Sequence, residues 1–529
     1  VMDGDGSIVL FDTNDLTNTS KHAEIREAVS AATGIDISRI TVSASHTHSA
    51  PADTTAAKTK AAVEKYWNYM KEKVVSACVT AINDLSPAGM YIDTVDIEAE
   101  DGANLLNFVR HYDTNVRNKY GKQIVKTDNH GAWYWDEATS SWKASTSANI
   151  QSHTTKADTT MQMLLFKRTG KDDVLMCNFQ THPHKTGSNS STVVSADVVG
   201  SLRDEIEAMG GYKFAYFSGA GGNINPVTSI PAEVFSVKNS TGANKTYTFA
   251  NGQSLVLPKG ASINVNGSLS AMTVNGITLT NDEVRRFASL FYAQKMAEFI
   301  KPCLTGNTFT RVNVGKIKVK EHTFTGTFHP AGDEDLVNSA RYISMIWNAT
   351  DTQLKNMILG TYSYSASQLN SFAPINETGT GAEKLTARMR RIIDGDSLLK
   401  GTGTYGLFKS ASGGYVMSNF QNTITQSARN RLVTLMGTYI QSLDGIETII
   451  ESPYHASSIV SRNSNAGHSY TADLSVFTIG DVNFATFPGE AFDTLGEFIK
   501  DNTRGEMTFI LGYTNGSIGY IPSAYGHLY

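Results

Sequence analysis

Cysteine is scarce in this chain of 529 residues, which contains only Cys78, Cys177 and Cys303. Three scattered cysteines cannot supply a disulfide framework or a zinc site made of thiolates. The sequence also lacks a run of about 18 apolar residues, the length that a membrane-spanning helix needs. The 13 histidines are therefore the residues to examine as metal ligands.

An excess of positive charge is missing as well. The chain has 45 lysines and arginines against 50 aspartates and glutamates, a formal net charge of −5. A surface that binds nucleic acid needs a basic stripe to offset the phosphates, so this balance argues against a nucleic-acid partner. Apolar residues make up 40% of the chain, which excludes a wholly disordered protein. Charged residues make up only 18%, which favours an extracytoplasmic or secreted protein.

Alternating strand-like and helical segments predict an α/β fold with a mixed sheet flanked by helices. Apolar residues at helical spacing predict a long helix over 54–85, and 161–167 with 174–179 read as a hairpin. Two segments interrupt this pattern. The first is a polar insertion at 113–155, and the second is a β-rich insertion at 228–280, where Asn-Gly pairs favour tight hairpin turns.

Two pairs of histidines follow predicted strands. His46 and His48 come after one strand, and His182 and His184 come after another. If each pair continues its strand, period two directs both rings to one side, which suits two metal ligands or one ligand with a neighbouring base. The alternative is a polar turn with exposed histidines. Open α/β sheets bind ligands at the carboxyl ends of their strands, so two such pairs favour the metal hypothesis.

Three other features carry chemical potential, each beside a plainer structural alternative. The glycine-rich segment 218–226 can direct backbone amides at an anion or an oxyanion, or can be a tight turn. Glu490 can cap a helix or act as a carboxylate ligand. Arg110, set among apolar residues, can pair with a carboxylate or clamp an anion in a cleft.

Taken in order, these segments resemble the catalytic domain of the neutral/alkaline non-lysosomal ceramidase family, as a divergent bacterial-type member. Each motif is short, and their shared order over most of the chain makes the resemblance specific. It rests on residues 45–51, 107–110, 182–183, 195–197, 222–226, 488–490 and 519–520.

Members of that family are zinc-dependent amidases that hydrolyse the N-acyl bond of ceramide. The resemblance implies one large catalytic domain over 1–529, which we expect to be truncated at both ends. It implies that His48 lies beside the zinc-bound water, that Arg110 is an active-site arginine and that Tyr529 binds substrate in the pocket. The implied Zn²⁺ ligands are His46, His182, Glu490 and Tyr520.

One departure from the family pattern decides the expected mechanism. Asn225 stands where the family has the serine usually assigned as nucleophile. Asparagine cannot form an acyl-enzyme, but its amide can donate a hydrogen bond to an oxyanion. The sequence therefore predicts attack by a metal-activated water, with Asn225 as a catalytic hydrogen-bond donor.

We therefore expect a zinc-dependent hydrolase that cleaves an N-acyl amide bond, with ceramide or a ceramide-like lipid as substrate. Such a protein would contact a membrane surface transiently and would need no obligate protein partner. Two alternatives stay open. One is a zinc esterase or amidase that acts on a non-sphingolipid substrate, and the other is a secreted binding protein that has lost activity.

Overall fold

A computed structural model describes a set of segments that together cover most of the chain. These are residues 9–13, 19–50, 57–97, 105–108, 113–114, 126–128, 131–136, 141–144, 150–151, 157–185, 194–226, 234–248, 252–266, 273–274, 277–278, 280–327, 334–365, 379–408, 420–444, 453–464 and 466–521. The chain divides into two compact units. The first comprises Val1–His111, Thr155–Phe324 and Ala472–Tyr529, and the second comprises Tyr112–Thr154 and Thr325–Thr471.

The described strands run in chain order as β1 Val9–Thr13, β2 Ile40–Ala44, β3 Ala88–Asp96, β4 Leu106–Phe108, β5 Asp113–Thr114, β6 Lys126–Asp128, β7 Gly131–Asp136, β8 Ser141–Ala144, β9 Ile150–Gln151, β10 Thr160–Arg168, β11 Asp173–Phe179, β12 Tyr212–Ser218, β13 Ile224–Pro226, β14 Val234–Lys238, β15 Lys245–Thr248, β16 Ser254–Leu257, β17 Ser262–Asn266, β18 Thr273–Val274, β19 Ile277–Thr278, β20 Thr310–Val312, β21 Ile317–Thr327, β22 Ser469–Ile479, β23 Val482–Thr486, β24 Glu490–Ala491, β25 Met507–Leu511 and β26 Tyr520–Ile521.

The described helices are α1 Thr19–Thr33, α2 Ala57–Asn83, α3 Asp197–Glu207, α4 Asn281–Gly306, α5 Glu334–Asn348, α6 Asp351–Leu359, α7 Gly381–Gly395, α8 Ser397–Lys400, α9 Gln426–Asp444, α10 Pro453–Ser464 and α11 Asp493–Asn502. A short 3₁₀ turn spans Ile37–Arg39. Within the described parts of the chain, no helix has the length and apolar composition that crossing a bilayer requires.

A five-stranded mixed sheet in the order β12-β11-β10-β3-β20 forms the centre of the first unit. Strand β10 pairs antiparallel with both β3 and β11, and β11 pairs parallel with β12. The strands are apolar on both faces because each face is covered. Met163 and Leu165 pack with α3 and α4, whereas Leu164 between them packs with Phe484 of a second sheet. This alternation is the period of two that a strand imposes.

The second sheet of this unit has the order β21-β22-β23-β25. Strand β23 pairs antiparallel with β22 and parallel with β25. Next to these sheets, β1 and β2 form a parallel pair. Ile25 and Val29 of α1 pack with Trp67 of α2 and Val42 of β2 in a separate apolar cluster.

Helices α5 to α10 build the core of the second unit from one apolar cluster. Two of these helices begin with a capping box that is visible in the sequence as Thr-x-x-Gln or Thr-x-x-Glu. In each, the threonine hydroxyl accepts from the backbone three residues on, and the Gln353 or Glu383 side chain accepts in return. Such a box satisfies amide hydrogens that lack a partner within the helix.

The predicted mixed α/β fold is confirmed. The hairpin predicted over 161–167 and 174–179 is β10 and β11, and the helix predicted over 54–85 is Ala57–Asn83. Antiparallel pairs β14–β17, β15–β16 and β18–β19 occupy the segment predicted as β-rich. The interpretation of 1–529 as one catalytic domain stays a prediction.

Phe484 offers a test of the packing between the two sheets. Its ring stacks between Phe477, at 4.5 Å, and Phe509, at 5.2 Å. Phe484→Ala should lower the free energy of unfolding by about 3–5 kcal/mol, because a cavity opens in a closed core. Urea denaturation measures this. The control is Val476→Ala on the same sheet, where the side chain is 50% exposed and a change under about 0.5 kcal/mol is expected. Equal effects of the two substitutions would contradict the assigned packing.

Candidate metal centre

The two histidine pairs lie beyond their strands rather than on them. Strand β2 ends at Ala44 and β11 ends at Phe179, so the alternation of a strand does not set the ring directions. The prediction that the period of two along a strand directs both rings of each pair to one side is therefore wrong. The turns themselves bring the pairs together: His46 has a left-handed backbone, with φ 63°, and the His48 amide donates to the Pro183 carbonyl at 3.1 Å.

Three of these histidines form a group that can hold a metal ion. The ring of His46 lies 5.0 Å from that of His48 and 4.9 Å from that of His182, measured between centroids. One nitrogen from each of the three rings lies within 4.8 Å of the others. His46 and His182 are only 5% and 4% exposed. Buried imidazoles converging in this way are a typical set of metal ligands.

Glu490 reaches the same point from a distant part of the sequence. Its Oε2 lies 3.2 Å from Nε2 of His182 and 3.5 Å from Nε2 of His46. Two ligands of a tetrahedral ion with bonds of about 2.0–2.1 Å lie about 3.3–3.4 Å apart. The carboxylate and the two imidazoles therefore have the spacing of ligands to one ion. Glu490 lies in β24 rather than at the start of the following helix, so the capping alternative is wrong.

The hydrogen bond of His182 shows why a cation belongs among these atoms. Its Nδ1 lies 2.9 Å from the Ile224 carbonyl oxygen, which can only accept, so Nδ1 carries a hydrogen. In the neutral ring, Nε2 then presents a lone pair toward the Glu490 carboxylate. Two electron-rich atoms at this distance repel unless a proton or a metal ion lies between them. The hydrogen bond from His182 Nδ1 to the Ile224 carbonyl also fixes the orientation of the ring, as in many metal sites.

Tyr513 belongs to the site, although the sequence analysis did not select it. Its ring stacks on His46 with 4.1 Å between centroids and 11° between planes, and its side chain is buried. The signals in the sequence were its place just after the apolar strand β25 and the abundance of tyrosine over 513–529, which is typical of core packing or of an apolar substrate wall. A flat stack of this kind limits rotation of the His46 ring.

Left-handed residues other than glycine gather around this centre. Besides Asn307, which caps α4, those among the described residues are His46, Asp197, Tyr513 and Asn515. The side chain of Asn515 offsets part of the strain of its own left-handed backbone, because its Oδ1 accepts a hydrogen bond from the Val42 amide at 2.9 Å. Residues held in this region cost free energy and persist where the surrounding structure determines them, which is common at functional sites.

The glycine-rich segment 218–226 packs against the backbone of Glu490. A Cβ at position 222 would overlap the carbonyl oxygen of Glu490, so glycine is required there. The amides of Gly219, Gly221 and Gly222 donate to the backbone carbonyls of Phe179, Gly219 and Ala491. The expectation that these glycine amides point at an oxyanion is therefore wrong. Their role is close backbone approach.

Asn225 follows in β13, which pairs with β4 so that Asn225 lies opposite Asn107. Its buried side chain forms a hydrogen bond with His184. Burial, then the charges of His182 and His48, lower the pKa of His184 to about 3. The hydrogen bond to Asn225 acts in the opposite direction. His184 was visible in the sequence as half of a histidine pair that suits two metal ligands or one ligand with a neighbouring base, but it was not among the predicted site residues.

The other predicted site residues are less central or lie elsewhere. The pairing of β24 with β26 puts Tyr520 level with Glu490, but 48% of Tyr520 is exposed. Arg110 and Tyr529 fall outside the described residues. The roles assigned to these three residues stay predictions.

A buried polar pair ties the glycine-rich segment to helix α11. The Asn223 amide donates to Asp493 Oδ1 at 2.6 Å, and the Asp493 backbone amide donates to Asn223 Oδ1 at 2.9 Å. Burial, with the nearby charge of Asp158 adding to it, raises the pKa of Asp493 to about 6. Burial and the charges of Asp158 and Asp493 raise the pKa of Glu497 to about 7, against the charge of Lys500.

No protein-family model matches the chain, and no curated protein matches it. Two of the solved structures that match the chain align with nearly its whole length. The neutral ceramidase from Pseudomonas aeruginosa aligns with 97% of this chain and 60% of its own, at 13% identity and a TM-score of 0.45. A ceramidase complexed with C2 aligns with 98% of this chain and 62% of its own, at 12% identity and a TM-score of 0.46. The chain thus spans about three fifths of the length of these proteins.

Asp493→Asn tests the cost of the buried carboxyl. The folded-state pKa of about 6 exceeds the ordinary value near 3.9, so the folded state holds this proton more tightly. Stability from this group is therefore lost as pH rises from about 4 to 6. Asparagine does not titrate, so the stability of the variant relative to wild type should increase by roughly 2–3 kcal/mol between pH 4 and pH 8. Chemical unfolding at both pH values measures this difference.

Asp481→Asn is the control for that experiment. Asp481 lies in the turn between β22 and β23 and is exposed, so its substitution should leave the pH dependence unchanged. A pH dependence in Asp493→Asn equal to that of wild type would show that Asp493 titrates normally.

Proposed function

We propose that this protein is a zinc-dependent hydrolase that cleaves an N-acyl amide bond with a metal-activated water. The observation that carries the proposal is the meeting of Glu490 Oε2 with Nε2 of two buried histidines, at 3.2 and 3.5 Å. Two imidazoles with one carboxylate are a common ligand set of catalytic zinc, which keeps a further position open.

The donor set favours zinc over harder ions. Calcium and magnesium prefer sites made of oxygen ligands, whereas imidazole suits zinc. Two neutral histidines and one carboxylate leave a net charge of +1 on the site when a divalent ion is bound. With zinc bound there, the pKa of a coordinated water would fall to about 7, which would supply a nucleophile at neutral pH.

Residues of the chain account for metal binding, proton transfer and stabilisation of the oxyanion. His46, His182 and Glu490 would hold the ion, and Tyr513 fixes the His46 ring by stacking. His48 lies beside His46, with its backbone anchored on the Pro183 carbonyl, and is placed to pass a proton to the leaving nitrogen. Asn225 donates a hydrogen bond to the oxygen on which negative charge develops.

The substrate we propose is ceramide or a ceramide-like lipid. This choice is supported by the ordered motifs that the chain shares with neutral ceramidases. With this substrate we also propose an extracytoplasmic location and transient contact with a membrane surface, since such a lipid must be drawn from an interface. Asn225, which cannot act as a nucleophile, favours the second candidate function, a binding protein that has lost turnover.

Substitutions at two of the site residues should separate metal binding from catalysis. Glu490→Gln should weaken zinc binding by more than about 100-fold, because it removes the charged ligand. His48→Ala should keep one zinc per chain and lower turnover by about 10²–10⁴-fold, because it removes a proton carrier. Metal analysis after dialysis, together with turnover of a fluorescent ceramide, measures both effects.

His322→Ala is the matched control, since His322 is an exposed histidine of β21 and should affect neither quantity. Loss of zinc from His48→Ala would make His48 a ligand and contradict its assignment as the proton carrier. Full zinc retention by Glu490→Gln would contradict the proposed centre.

The substrate class has its own test. N-acyl sphingosine in detergent micelles should be hydrolysed. The kcat/KM for short soluble N-acyl amino acids should be at least about tenfold lower than that for N-acyl sphingosine. Liberated fatty acid measures both reactions. Turnover of the soluble amides alone would reject the lipid while leaving the zinc amidase, and zinc binding without any turnover would favour the binding protein.

A further inference from the structure

We propose that Asn223 and Asp493 are positioning residues, whose buried pair holds the Glu490 carboxylate at ligand distance from His182. This inference rests on the proposed function, because it gives the pair a role in forming the zinc centre. Neither Asn223 nor Asp493 is among the site residues predicted from the sequence.

The two ligands attach to neighbouring residues of the glycine-rich segment. The ring and the backbone amide of His182 both donate to the Ile224 carbonyl, at 2.9 and 3.3 Å. The backbone of Glu490 lies against Gly222 at a distance that no side chain would allow. The 3.2 Å between Glu490 Oε2 and His182 Nε2 therefore depends on how firmly this segment is held to the chain around Glu490.

The pair of Asn223 and Asp493 joins these two parts of the chain through side chains. The Asn223 side-chain amide donates to Asp493 Oδ1 at 2.6 Å, and the Asp493 backbone amide donates to Asn223 Oδ1 at 2.9 Å. A backbone amide can only donate, so the second bond determines which end of the Asn223 side chain is the oxygen. The Thr494 backbone amide also donates to Asp493 Oδ1, at 2.8 Å. Backbone groups thus fix the orientation of both side chains.

Burial makes this pair difficult to separate. The side chain of Asn223 is fully buried, and Asp493 is 1% exposed. A buried donor or acceptor that loses its partner keeps the full cost of its desolvation, and a hydrogen bond to a carboxylate is stronger than a neutral one. The pair therefore holds the two segments together more firmly than a backbone contact alone.

Metal binding tolerates little movement of its ligands, which must be held within about 0.5 Å of their productive positions. Asp493 lies three residues after Glu490 and begins helix α11. A shift of this end of the helix would move Glu490 Oε2 away from the nitrogens of His182 and His46, now at 3.2 and 3.5 Å. We therefore expect loss of the pair to weaken metal binding even where the fold persists.

Competition for zinc with a chromophoric chelator tests the inference in the full chain. Asn223→Ala and Asp493→Ala should each weaken zinc binding by about 10–100-fold, the usual effect of removing a group that orients metal ligands. The double variant should bind zinc about as weakly as the weaker single variant, because both substitutions remove the same contact. Unchanged zinc affinity in the single variants, or losses that multiply in the double variant, would overturn the inference.

Asn239→Ala is the matched control for a general loss of stability. Asn239 is another buried asparagine, and its side-chain amide donates to the carbonyls of Ala243 and Leu257 in the β-rich segment. Its substitution should leave the zinc affinity within about twofold of wild type. An equal loss of zinc affinity in this control would assign the effect to stability and contradict the positioning role.

Exchange of the two side chains provides a conservative rescue. Asn223→Asp alone places a second carboxylate against Asp493, and the repulsion should weaken zinc binding. Adding Asp493→Asn restores one amide opposite one carboxylate and should recover at least about tenfold of the lost affinity. An exchanged pair that binds zinc no better than Asn223→Asp alone counts against the inference.

A further measurement needs no metal. In the zinc-free full chain, the His182 ring should react with diethyl pyrocarbonate at least about fivefold faster in Asn223→Ala than in wild type or Asn239→Ala, because its contact with Glu490 opens more often. Mass spectrometry of the peptide that contains His182 measures the rate. An unchanged rate overturns the inference even if the wild-type protein binds no zinc, whereas absence of zinc binding alone counts against the proposed function.

Discussion

The meeting of one carboxylate with two imidazole nitrogens is the constraint on which the rest of the site depends. Glu490 and His182 are separated by more than 300 residues along the chain, yet Oε2 and Nε2 lie 3.2 Å apart. Buried charges are costly unless they are paired or bind a metal. The surrounding backbone must therefore hold these groups together against their tendency to remain hydrated, and much of the local architecture serves that purpose.

Close backbone approach is the main means of doing so. Gly222 contacts the backbone of Glu490 at a distance that no side chain would allow, and its amide donates to Ala491. Two residues after Gly222, the Ile224 carbonyl fixes the orientation of the His182 ring by accepting a hydrogen bond from Nδ1. A single short segment thus sets the position of the carboxylate and the orientation of one imidazole. Left-handed backbone at His46 and Tyr513 adds strain that the packed loops around them sustain.

Local features of the fold were open to prediction because their causes lie within a few residues. Short continuous apolar runs mark β10 and β11, and apolar residues at helical spacing mark α2. The histidine pairs and Glu490 stand out as metal-ligand types beside strand ends. The direction of the rings was not predictable in this way, because His46 turns away from the strand with φ 63°.

The sequence by itself determined the mixed α/β fold, the ordered motifs and the donor types of a candidate metal centre, since these follow from composition, periodicity and residue identity. Only the tertiary structure decided which donors meet. The stacking of Tyr513 on His46, the hydrogen bond between His184 and Asn225 and the use of the glycine amides by backbone carbonyls all join residues from different segments. Such contacts depend on how loops pack against one another, and no local pattern in the chain encodes that packing.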